Sequence, residues 1–536
     1  MSPVSQPAAC EVATPRQKDK TTDRQSRQQA RERDKHRFEN RRDSHDELRQ
    51  QLQAAGFIQP SEPGASNRCC PYPSIEEECA ARTEAVTQQA RLIKSMLPTL
   101  LLRLRSIEDP RQPQKIKHVL PCLMLYGILI FVLHFSSRRR ANTEITLPMF
   151  EHSLRLLFPE LATLPHADTL YRLLCKIEVD KIEQAHIDLV RHLMRKKKFV
   201  NYLINNCYPI AIDGTQKFTS CSLWSDSLQQ RRLSTAPGNS DLAQEPIYQY
   251  YVYVLEANLC FHNGMVIPLM SEFLDYQQGD TEQNKQDCET RAFHRLAERI
   301  KKAFPKLPVM LLLDGLYPSG PVLKRCRDCH WDFMIVLKDG SLPKVWEEYR
   351  ALHILKPDQQ YQQKWGNRSQ HFLWVNDIRY EYGPNAQHHL DLHLVVCQEQ
   401  WLALGEDNEI ITKTATHAWI SGRRLWRNNL HQRCNLGARH RWGIESCNLV
   451  EKHQGYHYEH LFAQNWNAMR GYHYLMRLAH LLNTLARFSS ALAKMHIELG
   501  VRAFIQFVRS TCSGPWLDPV AVTQCMQGAV FRLRLT

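Results

Sequence analysis

The chain has 536 residues, of which 43% are hydrophobic and 23% charged, so it is long enough for several domains with buried cores. Lys and Arg total 69 against 55 Asp and Glu, and the net charge of +14 favours a polyanionic partner, either nucleic acid or an anionic membrane. The N-terminus lacks the charged-then-apolar layout of a secretory signal. The 17 cysteines are therefore predicted to be reduced thiols of a cytoplasmic protein, which argues against a disulfide framework.

One segment, residues 119–135, is apolar enough to resemble a membrane span. It lies at the short limit of the roughly 17–25 residues that a spanning helix needs, and it contains Pro121, Gly127 and His134. The sequence offers no second segment of this kind. We therefore predict a buried helix here and no membrane partner.

The first 200 residues are predicted to form two regions. Residues 1–60 are polar and nearly free of large apolar side chains, which is typical of a disordered or loosely helical arm. Residues 61–200 carry apolar side chains at helical spacing, among them Leu92, Met96 and Leu100, and predict an all-helical domain. Four basic residues at 195–198 follow a predicted helix and suit phosphate, so this domain is a candidate for recognising DNA ends.

Residues 201–350 change to strands and helices. The predicted strands are 209–212, 248–255, 265–269, 309–313 and 333–337. Asn263-Gly264 predicts a hairpin turn before the third strand. The helix after that strand has one apolar face, formed by Phe293, Leu296, Ile300 and Phe304. Three strands, a helix and a strand–helix–strand unit follow the order of the ribonuclease H-like fold, so we predict an α/β core of that kind.

The remaining chain is predicted to contain three more regions. Residues 351–430 contain short strands, such as 371–375 and 391–396, and predict a β-rich insertion. Residues 431–500 are helical again and are predicted to complete the core. Residues 501–536 are predicted to form a C-terminal tail.

Two aspartates follow predicted strands: Asp213 comes after 209–212 and Asp314 after 309–313. Ligands gather at strand ends in open α/β sheets, and Mg²⁺ prefers carboxylate oxygens. Either aspartate alone is more typical of a turn, but together with a third carboxylate they predict a metal site for phosphodiester chemistry.

The third carboxylate is Glu445. Arg441 lies four residues before it and Lys452 seven residues after it, so a helix places all three on one face. The carboxylate would bind metal while the two cations hold phosphate. The alternative is a surface ladder of charges that only stabilises the helix. Glu451 lies six residues from Glu445, off that face, and is the poorer candidate.

This run resembles the Y-x2-R-x3-E-x6-K signature of DDE insertion-sequence transposases, specifically the group that resolves hairpin ends. Arg441, Glu445 and Lys452 occupy its last three positions, and its Tyr position is Ala438. Other segments that look like this family are 211–215, 285–289, 313–317 and 419–421. The resemblance spans about residues 120–490.

The resemblance implies a ribonuclease H-like catalytic core in which Asp213, Asp314 and Glu445 are the catalytic residues and hold two Mg²⁺ or Mn²⁺ ions. It further implies a homodimer that acts on double-stranded DNA, both at terminal inverted repeats and at a target. The expected activity is phosphodiester hydrolysis and strand transfer in cut-and-paste transposition. The expected location is the bacterial cytoplasm, at the nucleoid.

Residues flanking Glu445 are further candidates for DNA contact. Arg423 and Arg424 suit backbone phosphates, and the nearby Trp426 suits base stacking. Aromatic and histidine side chains crowd the stretch after Glu445. They are Tyr456, His457, Tyr458, His460, Trp466, Tyr472, His473 and Tyr474. The favoured interpretation is that these side chains form a half-buried core, and the alternative is that they stack on a DNA end.

Two rival classes of function remain at this point. The first is a non-catalytic DNA-binding protein derived from a transposase. The second is a membrane or haem protein built on residues 119–135 and on Cys326, Cys329 and His330, which match the C-x-x-C-H pattern. No second C-x-x-C completes a zinc site, so we expect neither haem nor zinc here, and Cys69-Cys70 is interpreted as incidental.

Overall fold

The computed structural model describes residues 20–54, 72–161, 163–233, 248–274, 285–405 and 409–536; Cys69-Cys70 lies outside these ranges. The chain divides into two compact units. The first contains residues 1–66, 361–371 and 397–416, and the second contains the rest of the chain.

Helices precede the first strand throughout the described residues. They are α1 (Lys20–Ala54), α2 (Ile75–Leu104), α3 (Leu120–Val132), α4 (Arg138–Ile145), α5 (Pro148–Leu157), α6 (Ala167–Leu174) and α7 (Asp180–Arg195). Leu92 and Leu100 are completely buried and Met96 is 7% exposed, as their helical spacing requires. The predicted helical N-terminal region is confirmed. Residues 1–60, predicted as a separate disordered or loosely helical arm, contain the long helix α1.

The apolar segment 119–135 forms α3, which is only 13 residues long and has apolar side chains buried on all sides. α3 packs against a later helix, α13 (Trp466–Arg487). No helix in the described ranges is both long and apolar enough to cross a membrane. The prediction of a buried helix is confirmed.

A mixed sheet follows the helices. Its strands are β1 (Tyr208–Ser220), β2 (Gln229–Arg232), β3 (Tyr248–Cys260), β4 (Val266–Phe273), β5 (Val309–Leu313), β6 (Asp332–Val336), β7 (Gln360–Trp365), β8 (Arg368–Tyr382), β9 (His388–Leu404) and β10 (Ile410–Ser421). The strand order is β2-β3-β1-β5-β6-β10-β9-β8-β7, and β4 also pairs with β3. β1, β5 and β6 are parallel, whereas β2, β3 and β4 form antiparallel pairs.

The chain order of the central strands matches the prediction, with the short β2 as an additional strand. Helix α8 (Lys285–Ala303) lies between β4 and β5, and α9 (Gly320–Asp328) lies between β5 and β6. The predicted turn at Asn263-Gly264 is present: Gly264 adopts a φ of +83°, and the Asn263 side-chain oxygen accepts a bond from the Met265 amide at 3.1 Å. The α/β sheet with covering helices is thus confirmed.

The segment predicted as a β-rich insertion continues the same sheet, since β10 pairs antiparallel with β6 and Ser421 lies opposite Met334. Helix α10 (Pro343–Leu355) precedes its strands. Within the first unit, Glu399 is buried and accepts bonds from Arg368 at 2.7 Å and Gln370 at 2.6 Å.

Helices return after β10. They are α11 (Arg427–Leu430), α12 (Gly443–His453), α13, α14 (Ala493–Leu499), α15 (Val501–Ser513) and α16 (Pro519–Gln527). Residues 501–536, predicted as a tail, contain α15 and α16, which pack against α2 and α5. Their apolar faces, with Phe504, Ile505 and Val508 buried, explain why this segment folds onto the helical region.

Candidate functional site

Asp213 and Asp314 lie at neighbouring positions of the sheet. β1 and β5 run parallel, and Ala211 is the last residue of β1 to pair, opposite Leu312. Each aspartate is two residues further along its strand, so the two side chains emerge at the same edge. Asp314 follows β5 as predicted, and its Oδ1 accepts the Leu316 amide at 2.9 Å.

The prediction that a strand ends at Asp213 is wrong. β1 continues to Ser220 because it stays paired with β3 after it has left β5, and Asp213 lies opposite Glu256 on β3. Asp213 is only half-buried, and its carboxylate makes no hydrogen bond or ion pair within the described parts of the chain. The aspartate is therefore held on a rigid strand while its oxygens stay available to a ligand.

Glu445 lies in the first turn of α12, which packs against β1. Its Oε1 accepts a bond from Arg441 Nη1 at 2.7 Å. Burial, together with the negative charges of Glu445 and Asp314, raises the pKa of Asp213 to about 7, and Arg441 partly opposes this rise. The structure thus brings all three predicted carboxylates into one electrostatic cluster.

The cluster has an open ligand position. Glu445 Oε2 is buried and receives no hydrogen bond from any described residue. A buried carboxylate oxygen without a donor is costly unless a cation or a proton satisfies it. Hard oxygen atoms on separate elements are the donors that Mg²⁺ and Mn²⁺ prefer, so Asp213, Asp314 and Glu445 fit such ions.

A fourth carboxylate belongs to the same neighbourhood. Glu289 on α8 is 7% exposed, and its charge contributes to the raised pKa values of Asp213 and Tyr317. Tyr317 is buried near both aspartates, and its hydroxyl has no hydrogen-bond partner within the described residues. Glu289 is the last residue of segment 285–289, which resembles the transposase family. That resemblance was the signal by which Glu289 could have been identified from the sequence.

The residues that follow the two aspartates are glycines, and side chains from neighbouring strands occupy the space. A Cβ at Gly214 would come within 2.5 Å of the Tyr253 ring, and one at Gly315 within 2.6 Å of the Lys338 side chain. Lys338 therefore lies beside Asp314. Sequence reasoning missed this cation. Lys338 comes just after β6, which is parallel to β5, so it lies at the same edge of the sheet as Asp314.

The structure separates Arg423 and Arg424 from the carboxylates. Both follow the end of β10, which lies beside the start of β6 because these two strands are antiparallel. Asp314 lies beyond the end of β5, which is parallel to β6, and is therefore at the opposite edge of the sheet. Asp332 pairs with Met310, four residues before Asp314, a separation of about 13 Å along a strand. Arg423 contacts Asp332 at 3.4 Å, and Arg424 contacts Asp377 at 2.9 Å.

Lys452 remains on α12, where its ammonium pairs with Glu459 at 3.1 Å. Glu451, beside it, points inward and is completely buried. It accepts bonds from Arg477 at 2.8 Å and from His480 at 2.6 Å, and these two partners lower its pKa against the effect of burial.

Cys447, Glu451 and His480 bring one ligand atom each to within 4.8 Å of one another. Arg477 already supplies the positive charge that this buried carboxylate needs. We therefore interpret the group as the support that fixes α12 against α13.

The aromatic stretch after Glu445 is mainly core. Five of its eight predicted side chains are at most 2% exposed, which confirms the favoured interpretation for Tyr456, Tyr458, Tyr472, His473 and Tyr474. Trp442, which sequence reasoning did not single out, is 66% exposed and lies 5.0 Å from the Arg441 guanidinium. Trp426 is also exposed, at 54%.

The C-x-x-C-H run lies at the end of α9. Cys326 and Cys329 are buried, and burial raises the pKa of both thiols. His330 is exposed. The run therefore places its sulfur atoms in the core and its imidazole at the surface, which does not form a common ligand site.

A family model described as DDE_Tnp_1-associated matches residues 101–190. The matched segment runs from the end of α2 through most of α7 and does not include the carboxylate cluster. No curated protein matches the chain. The match points to a transposase family of the DDE type, and it does so from the helical region, independently of the residues around Glu445.

Proposed function

We propose that this chain is a DDE transposase that cleaves and joins DNA at the ends of an insertion sequence. One observation carries the proposal: two aspartates on adjacent parallel strands and a helical glutamate form one cluster in which Asp213 has a strongly raised pKa. The match of residues 101–190 supports it separately. The order β4-β3-β1-β5-β6 with α8 and α9 further supports a ribonuclease H-like core.

Asp213, Asp314 and Glu445 would hold two Mg²⁺ or Mn²⁺ ions. When bound, such ions activate the attacking oxygen and stabilise the leaving one. Arg441 keeps Glu445 oriented through their ion pair. Lys338, beside Asp314, and Lys452, on the same helix as Glu445, would hold phosphates, and Lys452 would exchange Glu459 for phosphate. The exposed Trp442 offers a surface on which a base at the DNA end can stack.

The helical region 61–200 would recognise terminal inverted repeats, and two copies would act together on two ends. By the family resemblance, the released 3′ hydroxyl would attack the opposite strand, forming a hairpin and releasing the flanking DNA. Water would then hydrolyse the hairpin and free the 3′ hydroxyl again, which would attack target DNA. Arg423 and Arg424 lie away from the cluster, so their role in this proposal is contact with DNA further from the cut.

The test is cleavage of labelled duplexes that carry the inverted repeats flanking the gene. Cleavage should require Mg²⁺ or Mn²⁺, stop on addition of EDTA, and disappear in Asp314→Asn. Asp328→Asn on α9 is the matched control, because Asp328 is exposed and pairs only with Lys324 at 2.8 Å among the described residues. Tight binding of the ends without metal-dependent cleavage would instead support a non-catalytic DNA-binding protein.

Cation binding should depend on pH. Because the pKa of Asp213 is about 7, the carboxyl is largely protonated at pH 6 and must release its proton to bind a cation. We expect about 5 mM Mg²⁺ to raise the Tm more at pH 8 than at pH 6. Differential scanning fluorimetry with and without Mg²⁺ measures this. Equal shifts at both pH values would contradict it.

A further inference from the structure

A large basic cavity lies outside the carboxylate cluster. It has a volume of about 680 Å³ and is open to solvent. The end of α3, the start of α4, the loop after α12 and one face of α15 form its walls. Its size falls within the range of roughly 300–1,000 Å³ typical of ligand sites.

The cavity is strongly cationic. Arg140, Arg502 and Arg509 line it, and no described lining residue is a carboxylate. Arg140 and Arg509 both pair with Glu144, which lies behind the lining. Arg502 is exposed and makes no hydrogen bond or ion pair in the described portion of the chain. One glutamate therefore opposes three guanidinium groups, which leaves the cavity with a net positive charge.

One hydroxyl group complements these cations. Ser136 lines the cavity and its hydroxyl makes no hydrogen bond to a described residue, whereas the hydroxyls of Ser510 and Ser513 donate to the Phe507 and Arg509 carbonyls at 2.9 Å. The Arg509 guanidinium is held 4.3 Å from the centre of the Phe135 ring, so its position is fixed before any ligand arrives. Fixed guanidinium groups with adjacent hydroxyls are suited to phosphate oxygens.

His134 is the second, independent sign of a ligand. It is 8% exposed, lines the cavity, and its Nε2 has no hydrogen-bond partner among the described residues. Its backbone adopts a φ of +55° as the left-handed residue that ends α3, where the His134 and Phe135 amides bond to the Phe131 and Ile130 carbonyls. Gly455, at φ +108°, accommodates the ring, because a Cβ there would come within 2.2 Å of His134 Nδ1. A buried imidazole nitrogen without a partner is costly unless a ligand satisfies it, so His134 in this cationic cavity indicates a binding site.

We propose that this cavity binds backbone phosphates of the DNA strand that the carboxylate cluster cuts. The proposal rests on the proposed function and extends it. α12 connects the two places: Glu445 is in its first turn and His453, which lines the cavity, is its last residue. Eight residues of helix span about 12 Å. The bound phosphates therefore belong to nucleotides close to the cut.

The test is DNA binding in EDTA, so that its result is independent of cleavage. Arg502→Glu should weaken binding of an inverted-repeat duplex about tenfold and lower the slope of log affinity against log salt by about one. Arg502 has no partner to lose, so this variant should fold normally. Arg350→Glu on α10 is the matched control, because Arg350 is exposed and does not line the cavity. Unchanged affinity and slope in Arg502→Glu would overturn the proposal.

Two further measurements identify the ligand. Ethylation interference should locate the sensitive phosphates within a few nucleotides of the cut site in the wild type and lose them in Arg502→Glu. A free nucleotide shares the same phosphate chemistry, so dAMP is titrated as well. If dAMP stabilises the wild type but not Arg502→Glu, while DNA affinity is equal in both, the cavity takes a free nucleotide and the strand assignment is wrong. If the wild type never cuts DNA but Arg502→Glu still weakens DNA binding, the phosphate site is supported and the proposed transposase function is not.

Discussion

Asp213→Asn should lower metal-dependent DNA cleavage by at least about 100-fold while making the metal-free protein more stable above pH 7. Loss of a residue that only orients a metal ligand already costs roughly 10–100-fold, so loss of a ligand itself should cost at least the upper value. If Asp213 served only to stabilise the fold, its replacement by asparagine would make the metal-free protein less stable. The combination of the two readouts is therefore diagnostic of a functional carboxylate.

The gain in stability follows from the raised pKa of Asp213, which is about 7 in the folded chain against an ordinary value of 3.8. Between these two values the folded state holds a proton that the unfolded state has lost, so the contribution of Asp213 to stability falls as the pH rises from about 4 to 7. Above pH 7 the folded state contains a charged, partly buried Asp213 carboxylate near Glu445 and Asp314, and this charge lowers the free energy of unfolding. Asparagine removes that cost.

The measurements are cleavage of end-labelled duplexes and thermal unfolding in EDTA at pH 5 and pH 8. The Tm difference between Asp213→Asn and wild type should be larger at pH 8. Asp328→Asn, on the surface of α9, should match wild type in both assays. A variant that keeps its cleavage activity, or that is less stable than wild type at pH 8, would remove Asp213 from the site.

Arg433→Ala should lower the free energy of unfolding by about 3–5 kcal/mol, the cost of breaking a buried ion pair by removing one partner. Arg433 is 1% exposed and donates to both oxygens of Asp332, at 2.6 and 2.8 Å. It also contacts the Ser421 hydroxyl at 3.1 Å. Alanine leaves the Asp332 carboxylate in the core with the Phe333 amide at 2.8 Å and, as its only cation among the described residues, the more distant Arg423 at 3.4 Å.

Urea unfolding at neutral pH measures this change. Arg424→Ala is the matched control: its guanidinium is 57% exposed and pairs with the partly exposed Asp377, so the expected change is within about 0.5 kcal/mol. A loss below about 1 kcal/mol in Arg433→Ala would show that Asp332 finds another partner. Because Arg433 joins the π-helical segment His431–Gly437, which precedes α12, to β6 and β10, the variant should also reduce cleavage by displacing Glu445.

Local pattern alone determined much of the central sheet. The apolar run 309–313 became β5 without change, because a short buried strand must be continuously apolar. The Asn263-Gly264 turn and the apolar face of α8 were equally local. The offset between Glu445 and Lys452 could be predicted for the same reason, because both lie on α12, whereas Arg441 lies in the 3-10 helix Ala438–Trp442 just before it.

The sequence by itself determined which residues are candidates for the site: carboxylates after apolar strands, and a basic and acidic run at helical spacing. Only the tertiary structure decided which of them share a site. Strand pairing brought Lys338 to the cluster and placed Arg423 and Arg424 at the opposite end of β6, since pairing across a sheet joins residues that are distant along the chain. Packing of α8 against β3 and β4 brought Glu289 there. Packing of α12 on β1 turned Glu445 toward Asp213 and buried Glu451 against Arg477, because a helix meets its neighbours according to which face they cover.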